Sequence, residues 1–366
     1  MMTSDDLLDL WQAGVRAVGG AEAVNTALQQ HDVPRPDRII AIGKAAAAMA
    51  QAACAKWPDV PCLIVTKYGH GQGAPRAATL LEAAHPVPDT ASLAAGRALQ
   101  QAVAACGSRD HLLVLVSGGA SALAERPVDG LDLDGLRDQT NELLATGADI
   151  GTMNAQRTQN SQIKGGKLLS GFDGARVTTL ALSDVEGDAL ATIGSGIADA
   201  PKNSNFAFMA HIVGSNAIAR AAVAAASELP VKSNSETLYA DVAELGPKIA
   251  ADLRAAAPGI HIMGGEPVVH LPENPGLGGR NMALALTLAR EIAETHNLRI
   301  LVAGTDGTDG PTDAAGAIVD GQTWQPDAQI ALDSADAYPW LKAHDALVTT
   351  GPTGTNVMDI LIAHKD

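Results

Sequence analysis

Five short stretches of the chain are apolar at almost every position: RIIAI (38–42), CLIVT (62–66), HLLVLV (111–116), RVTTLAL (176–182) and MAHIV (209–213). Each runs into a polar or glycine-rich turn, and helical segments separate them. Strands buried on both faces have this pattern, so it predicts a parallel sheet covered by helices on both sides. Ahead of them, residues 3–18 place Leu7, Trp11, Val15 and Val18 on one helical face, with Thr3 or Ser4 as N-cap and Gly19-Gly20 as the stop. The pattern changes after the fifth run. LPVKSNSET (229–237) breaks an alanine-rich helix with proline and small polar residues, which predicts one domain over 1–230 and a second over 235–366. The first helix could pack on either. In the second part, 259–276 reads as two short strands joined at Gly264-Gly265, and 278–294 as a long helix. Residues 299–304 read as another buried strand, followed by a turn-rich loop (305–321) that ends in an extended segment.

Composition narrows the class. A length of 366 residues suits two or three domains, and 46% hydrophobic with 18% charged residues is that of a globular chain. With 25 Lys and Arg against 41 Asp and Glu, the net charge of −16 argues against nucleic acid as a partner, because phosphate backbones need basic surface. Four Trp, three Tyr and three Phe leave the core to Ala, Leu, Val and Ile. The three cysteines, at 54, 62 and 106, show no CxxC spacing, the start MMTSDDLLDLWQ is acidic, and no apolar run is long enough to span a bilayer. The expected compartment is the cytoplasm, with no membrane partner.

In a parallel sheet, ligands bind beyond the carboxyl ends of the strands. After HLLVLV comes VSGGASAL, where Ser117, Gly118, Gly119 and Ser121 read either as an anion cradle at a helix N-terminus or as a tight turn. The segment is neither GxGxxG nor a P-loop. Lys44 follows RIIAI in the first turn of a helix, where a cation opposes the dipole and so suggests a facing anion. Arg157, Ser161 and Lys164 fall at i, i+4 and i+7, with Asn154 three residues before Arg157, which predicts one polar helical face. Asp184, Glu186 and Asp188 follow one strand and Asp306, Asp309 and Asp313 another. Such carboxylates serve as magnesium ligands, as a general base, or simply in turns. Glu266, Arg280 and Asn281 border a helix start, and Asn356 ends the loop GPTGTN. Ten scattered histidines form no HExxH, and His70 and His85 alone lie in glycine- or proline-rich turns. No GxSxG elbow is present.

Taken together and in order, AIGKAAAAMA, VTKYGHG, EAAHPVPD, VSGGASAL, MNAQRTQNSQIKGGKL, LSDVEGD, GGEPVV, GLGGRN, AGTDGTDGPTDAAGA and TGPTGTNVMD resemble the glycerate 2-kinase family over nearly the whole chain. The resemblance implies a two-domain α/β fold: an N-terminal Rossmann-like parallel sheet flanked by helices, a smaller C-terminal α/β domain (MOFRL), and an active site in the cleft between them. It implies transfer of the ATP γ-phosphoryl group to the 2-hydroxyl of D-glycerate, with Mg2+. Lys44 and Arg280 would contact the phosphoryl group or the glycerate carboxylate. Ser117, Gly118, Gly119 and Ser121 would hold an anionic group, with Arg157 and Lys164 adding cationic contacts and Asn154, Glu266, Asn281 and Asn356 completing the binding set. Asp184 or Asp188 would be base or magnesium ligand, and Asp306 and Asp309 further metal candidates. Partners would be the small molecules D-glycerate and ATP, and a homodimer is allowed. Ala120 stands where the family commonly has a third glycine, and Glu186 and Ala189 stand where it has Pro and Asp. These departures bear on which hydroxy acid is the acceptor. Two other readings remain at this point: a nicotinamide-dependent hydroxypyruvate reductase and a non-catalytic metabolite-binding protein.

Overall fold

The computed structural model describes residues 2–145 and 150–366. Contacts divide the chain into two compact units: an inserted unit, Val18–Ser215 with Gly354–Asn356, and a flanking unit made of the residues up to Ala17, Asn216–Thr353 and Val357–Asp366. The boundaries expected at 230 and 235 are not where the contacts change. The first helix, α1 (Ser4–Ala17), packs with residues after 215. Its start is a capping box: the Asp6 amide donates to Thr3 Oγ1 (3.1 Å) and the Thr3 amide to Asp6 Oδ2 (2.7 Å).

The inserted unit holds an all-parallel sheet of β1 (Arg38–Ile42), β2 (Cys62–Lys67), β3 (Thr79–Ala83), β4 (His111–Val116), β5 (Arg176–Leu182) and β6 (Ala207–Gly214), in the order β3-β2-β1-β4-β5-β6. Side chains alternate between its faces. Ile40, Ile42, Leu112, Val114 and Val116 join the core with α4 (Thr90–Ala104), whereas Ile39, Ala41, Leu113 and Leu115 pack against α2 (Gly20–Gln30) and α3 (Ala46–Lys56). Both layers are buried and aliphatic, which is why the strands read as unbroken apolar runs. The alanines of α3 let it lie close to the sheet and to α2. Three further helices complete the unit: α5 (Ala120–Leu123), α6 (Leu133–Ala145) and α7 (Ile150–Gln159).

The flanking unit begins again at α8 (Asn216–Ala226) and carries β7 (Val231–Leu238), α9 (Val242–Ala255), β8 (Gly259–Gly265), α10 (Arg280–Glu291), β9 (Leu298–Gly304), β10 (Gly316–Asp320), β11 (Leu347–Val348) and β12 (Asp359–Lys365). Its sheet runs β11-β10-β9-β12-β8-β7 and is antiparallel at every pairing except β7 with β8. Ile300, Val302 and Leu361 face the core shared with α9 and α10, while α1 and α8 lie together against β9, β12, β8 and β7. The expected pair of strands over 259–276 is one strand. Beyond Gly265 only Val268 makes a bridge, to Asp241. No helix of the described residues is long and apolar enough to cross a membrane.

Candidate functional site

The order β3-β2-β1-β4-β5-β6 reverses direction between β1 and β4, and such a switch point opens a crevice beyond the carboxyl ends of those two strands. Gly43-Lys44 leaves β1 there and Ser117-Gly118-Gly119 leaves β4. The two turns are tied together by the Lys44 amide donating to the Gly118 carbonyl (2.9 Å) and the Ala45 amide donating to Ser117 Oγ (3.0 Å). Thr66, at the end of β2, donates its hydroxyl to the Gly43 carbonyl (2.9 Å). Gly43 has φ +128°, and a Cβ on it would stand 2.2 Å from Ser117 Oγ, so no other residue fits. Lys44 precedes the N-cap of α3 rather than occupying its first turn.

Gly118 is the contact between neighbouring strand ends. A Cβ there would fall 1.9 Å from Oδ2 of Asp184, which follows β5, and 3.0 Å from Nδ2 of Asn356. Asn356 Nδ2 reaches the same Asp184 oxygen at 3.5 Å. Thr355, beside it, is anchored by its hydroxyl donating to the Val18 carbonyl (2.5 Å). Lys44, Gly118, Gly119, Asp184 and Asn356 therefore come together at one end of one sheet. Asp188 lies four residues beyond Asp184 in a short turn, with φ +54°.

Other expected ligand groups are used internally. Ser117 is wholly buried, its oxygen occupied by the Ala45 amide. Ser121 Oγ pairs with Ser195 Oγ (2.8 Å), and Ser195 donates to Asn154 Oδ1 (2.8 Å). The helix these residues open, α5, is a single turn, too short for an appreciable dipole at its start. The predicted polar stripe dissolves because α7 stops at Gln159. Ser161 bridges to Pro127 and donates its hydroxyl to Glu125 Oε1 (2.5 Å), and Lys164, 2% exposed, is ion-paired with Glu125 Oε2. Burial pulls the Lys164 ammonium below its usual pKa, and Glu125 opposes that. Lys164 is thus a core residue and not a surface contact. Arg157 remains half-buried on α7, its pKa lowered by burial.

In the flanking unit, α10 starts at Arg280. Its Nε donates to Asp359 Oδ2 (2.7 Å) and its Nη1 to Glu266 Oε1 (2.5 Å). Burial works against this guanidinium, but Asp359 and Glu266 outweigh it and raise its pKa. Asn281 Nδ2 donates to Asp359 Oδ1 (3.0 Å), and its buried Oδ1 has no partner among the described residues. Asp309 accepts from the amides of Asn281 (3.2 Å) and Met282 (2.8 Å) and so caps α10. Burial pushes its carboxyl up to about 7, and Asp359 adds to the rise. Asp306 accepts from the amide and hydroxyl of Thr308 (3.0 and 3.1 Å), an Asx turn. Asp313 accepts from the Tyr338 hydroxyl (2.7 Å). A cavity of about 330 Å³ adjoins Gly278 and Gly279, walled by Val242, Ala283 and Leu332.

For magnesium, Asp309 does not fit, since both of its oxygens serve the helix start. No group of three His, Cys, Asp or Glu able to hold a metal occurs among the described residues. Magnesium in phosphoryl-transfer sites needs only one or two carboxylates besides the phosphates, and two, Asp184 and Asp188, follow β5 four residues apart.

Sequence reading passed over Asp359, Thr66 and Glu125. Asp359 carried one signal, a carboxylate opening the apolar strand DILIAHK, where only a paired acid can be buried.

A family model described as a domain of unknown function (DUF4147) matches residues 6–229, and the MOFRL family model matches 259–359. The chain is 34% identical to the D-glycerate 2-kinase of Thermotoga maritima, in an alignment covering 97% of this chain and 96% of that protein. It is 36% identical to a protein of Agrobacterium vitis that bears the provisional name hydroxypyruvate reductase, over 88% of this chain and 85% of that one. A crystal structure of glycerate kinase from Thermotoga maritima, 32% identical, covers 98% of both chains with a TM-score of 0.88.

Proposed function

We propose, because the chain belongs to the family that joins a DUF4147 domain to a MOFRL domain and includes the D-glycerate 2-kinase of Thermotoga maritima, that it is an ATP-dependent glycerate 2-kinase. The observation that carries this reading into chemistry is the meeting of Lys44, Gly118 and Asp184 at the switch point of the inserted sheet. Phosphoryl transfer asks for positioning and charge neutralisation more than for covalent chemistry. The Lys44 ammonium neutralises charge on the transferring phosphoryl group. Asp184, held toward Gly118 and Asn356, accepts the proton of the 2-hydroxyl as that oxygen bonds to the γ-phosphorus and the bond to the ADP oxygen breaks. Asn356 orients the carboxylate. Magnesium, bound with the nucleotide, would supply further neutralisation of the phosphates, and Asp188 is the residue that would hold it. In the flanking unit, the pairing of Arg280 with Asp359 and Glu266 fixes the direction of its guanidinium.

Incubation with ATP, Mg2+ and D-glycerate followed by phosphorus NMR tests the proposal: ADP and 2-phosphoglycerate are expected. Lys44→Ala should lower turnover by about 10²-fold or more, the scale of removing one transition-state charge contact, with unfolding unchanged. No ADP with D-glycerate or a panel of small 2-hydroxy acids would refute it. The name of the Agrobacterium vitis relative motivates a second reading, reduction of hydroxypyruvate. It is opposed by a switch-point loop, SGGAS, that lacks the dinucleotide glycine spacing. Loss of NADPH absorbance with hydroxypyruvate, in the absence of ATP, would favour it.

A further inference from the structure

His85 lies in the loop after β3 and reaches back to the switch point. A Cβ built on Gly119 would stand 3.2 Å from His85 Cδ2, 3.4 Å from its Nε2 and 3.1 Å from Lys44 Cγ. The ring and the lysine stem therefore flank one point over the left-handed turn that follows β4 (Gly119 φ +84°). The side chains whose charges act most on the ring are basic: Lys44 after β1, Lys67 at the end of β2, Arg157 on α7 and His70 in the turn after β2. The carboxylate facing Arg157 is Glu125, which is itself held by Lys164 and Ser161. Three cations and two imidazoles drawn from four elements converge in a chain whose net charge is −16. Like charges at short range destabilise one another, and an anion bound among them would relieve that.

Burial first, and then the neighbouring cations, pull His85 down to about 3, so its ring is neutral. A neutral imidazole keeps one N–H donor without adding to the local repulsion. The cations supply charge and His85 supplies direction.

We propose that His85 and Lys67, with Lys44 and Arg157, form a subsite at the carboxyl ends of β1, β2 and β4 that binds a phosphate group. The proposal rests on the kinase reading only for the source of that phosphate, a nucleotide or a phosphorylated product. His85 is a positioning residue whose N–H orients the group between the cations.

The test is calorimetric titration with inorganic pyrophosphate, ADP, 2-phosphoglycerate and D-glycerate, followed by steady-state kinetics. His85→Ala should weaken pyrophosphate binding about tenfold, the scale of one hydrogen bond to a charged group. His85→Asn, which retains a neutral donor, should recover to within about threefold of the parent protein, a rescue that a purely structural role would not give. Lys67→Met should weaken pyrophosphate binding and reduce its dependence on salt. Whichever of ADP and 2-phosphoglycerate follows pyrophosphate across the variants identifies the source. Equal binding of all three phosphate probes by His85→Ala, Lys67→Met and the parent overturns the proposal, as does weakening confined to D-glycerate, which would assign the subsite to a carboxylate. Should His85→Ala fail to fold, Lys67→Met and His85→Asn decide. Pyrophosphate binding needs no turnover. Variant-sensitive binding without kinase activity would sink the kinase reading alone, and normal activity with insensitive variants would sink the subsite alone.

Discussion

Replacing Lys164 by Met would remove the cation from an ion pair whose members are 2% and 1% exposed. Methionine nearly matches the aliphatic stem, so the dominant effect is electrostatic: a buried Glu125 carboxylate loses its counterion. Breaking a buried pair from one side costs about 3–5 kcal/mol. Glu125 would keep two donors, the Ser161 hydroxyl (2.5 Å) and the Arg126 amide (2.8 Å), and would still face the charge of Arg157. The expected loss is therefore at the low end, about 3 kcal/mol. The double variant Glu125→Gln/Lys164→Met should regain most of it, because no unpaired charge remains. Urea unfolding followed by far-UV circular dichroism, with the transition containing the inserted unit analysed separately, measures both. Kinetics on the same samples distinguish the roles: a core ion pair leaves KM for folded enzyme within about twofold, whereas a ligand contact of Lys164 would raise it by tenfold or more. Unchanged stability together with a large rise in KM would refute the assignment of Lys164 to the core.

Three further outcomes follow from close contacts and from one displaced pKa. Gly118→Ala places a methyl against Asp184 Oδ2, and because displacement of a reacting group by about 1 Å costs roughly 10² in rate, turnover should fall on that scale; an active Gly118→Ala enzyme would remove Asp184 from the chemistry. Asp309 has its folded pKa raised to about 7 from an ordinary 3.8, so the folded state holds its proton more tightly, and its contribution is fully present below pH 3.8 and lost as pH rises through 7. The stability of the parent protein relative to Asp309→Asn should accordingly decline between about pH 4 and 7 in denaturant titrations, and a difference that rose with pH would contradict the sign. Gly14→Ala sets a methyl 2.7 Å from Val223 Cγ2 and 3.0 Å from the Ala219 carbonyl, so α1 should be pushed from α8 at a cost of about 1–3 kcal/mol. Thermal unfolding unaffected by this change would argue against that packing.

Four of the five apolar runs lie in β1, β2, β4 and β5, strands buried on both faces, whereas the fifth lies in β6, an edge strand that is largely exposed. A polar edge strand hides from the same reading. β7, VKSNSETL, alternates exposed polar residues and resembles a linker, so the sequence boundary falls on it, while the contacts change at Ser215 instead. That boundary depends on α1 meeting α8 some two hundred residues later, a non-local fact. The Lys164 assignment fails for a related reason: spacing of i, i+4 and i+7 has meaning only inside a continuous helix, and α7 ends before Ser161. The meeting of Lys44, Gly118 and Asp184 was legible because each follows a recognisable strand and the order of a parallel sheet sets where strand ends meet. Asp359 was not, since its role exists only beside Arg280, 79 residues away.

The nested path of the chain also sets an order of events during synthesis. When residue 215 has left the ribosome, the inserted unit lacks only Gly354–Asn356, so its sheet can close early. Helix α1, made before the inserted unit, must wait for α8 and then for β12, and Met2 meets its partners, the Arg299 guanidinium and the His364 imidazole, only once β12 is made. The apolar face of α1, made of Leu7, Leu10, Trp11 and Val15 and buried in the fold, stays unburied until α8 has been made. That interval is a window in which a chaperone can hold the nascent chain, and in which α1 becomes protected only after the unit that follows it.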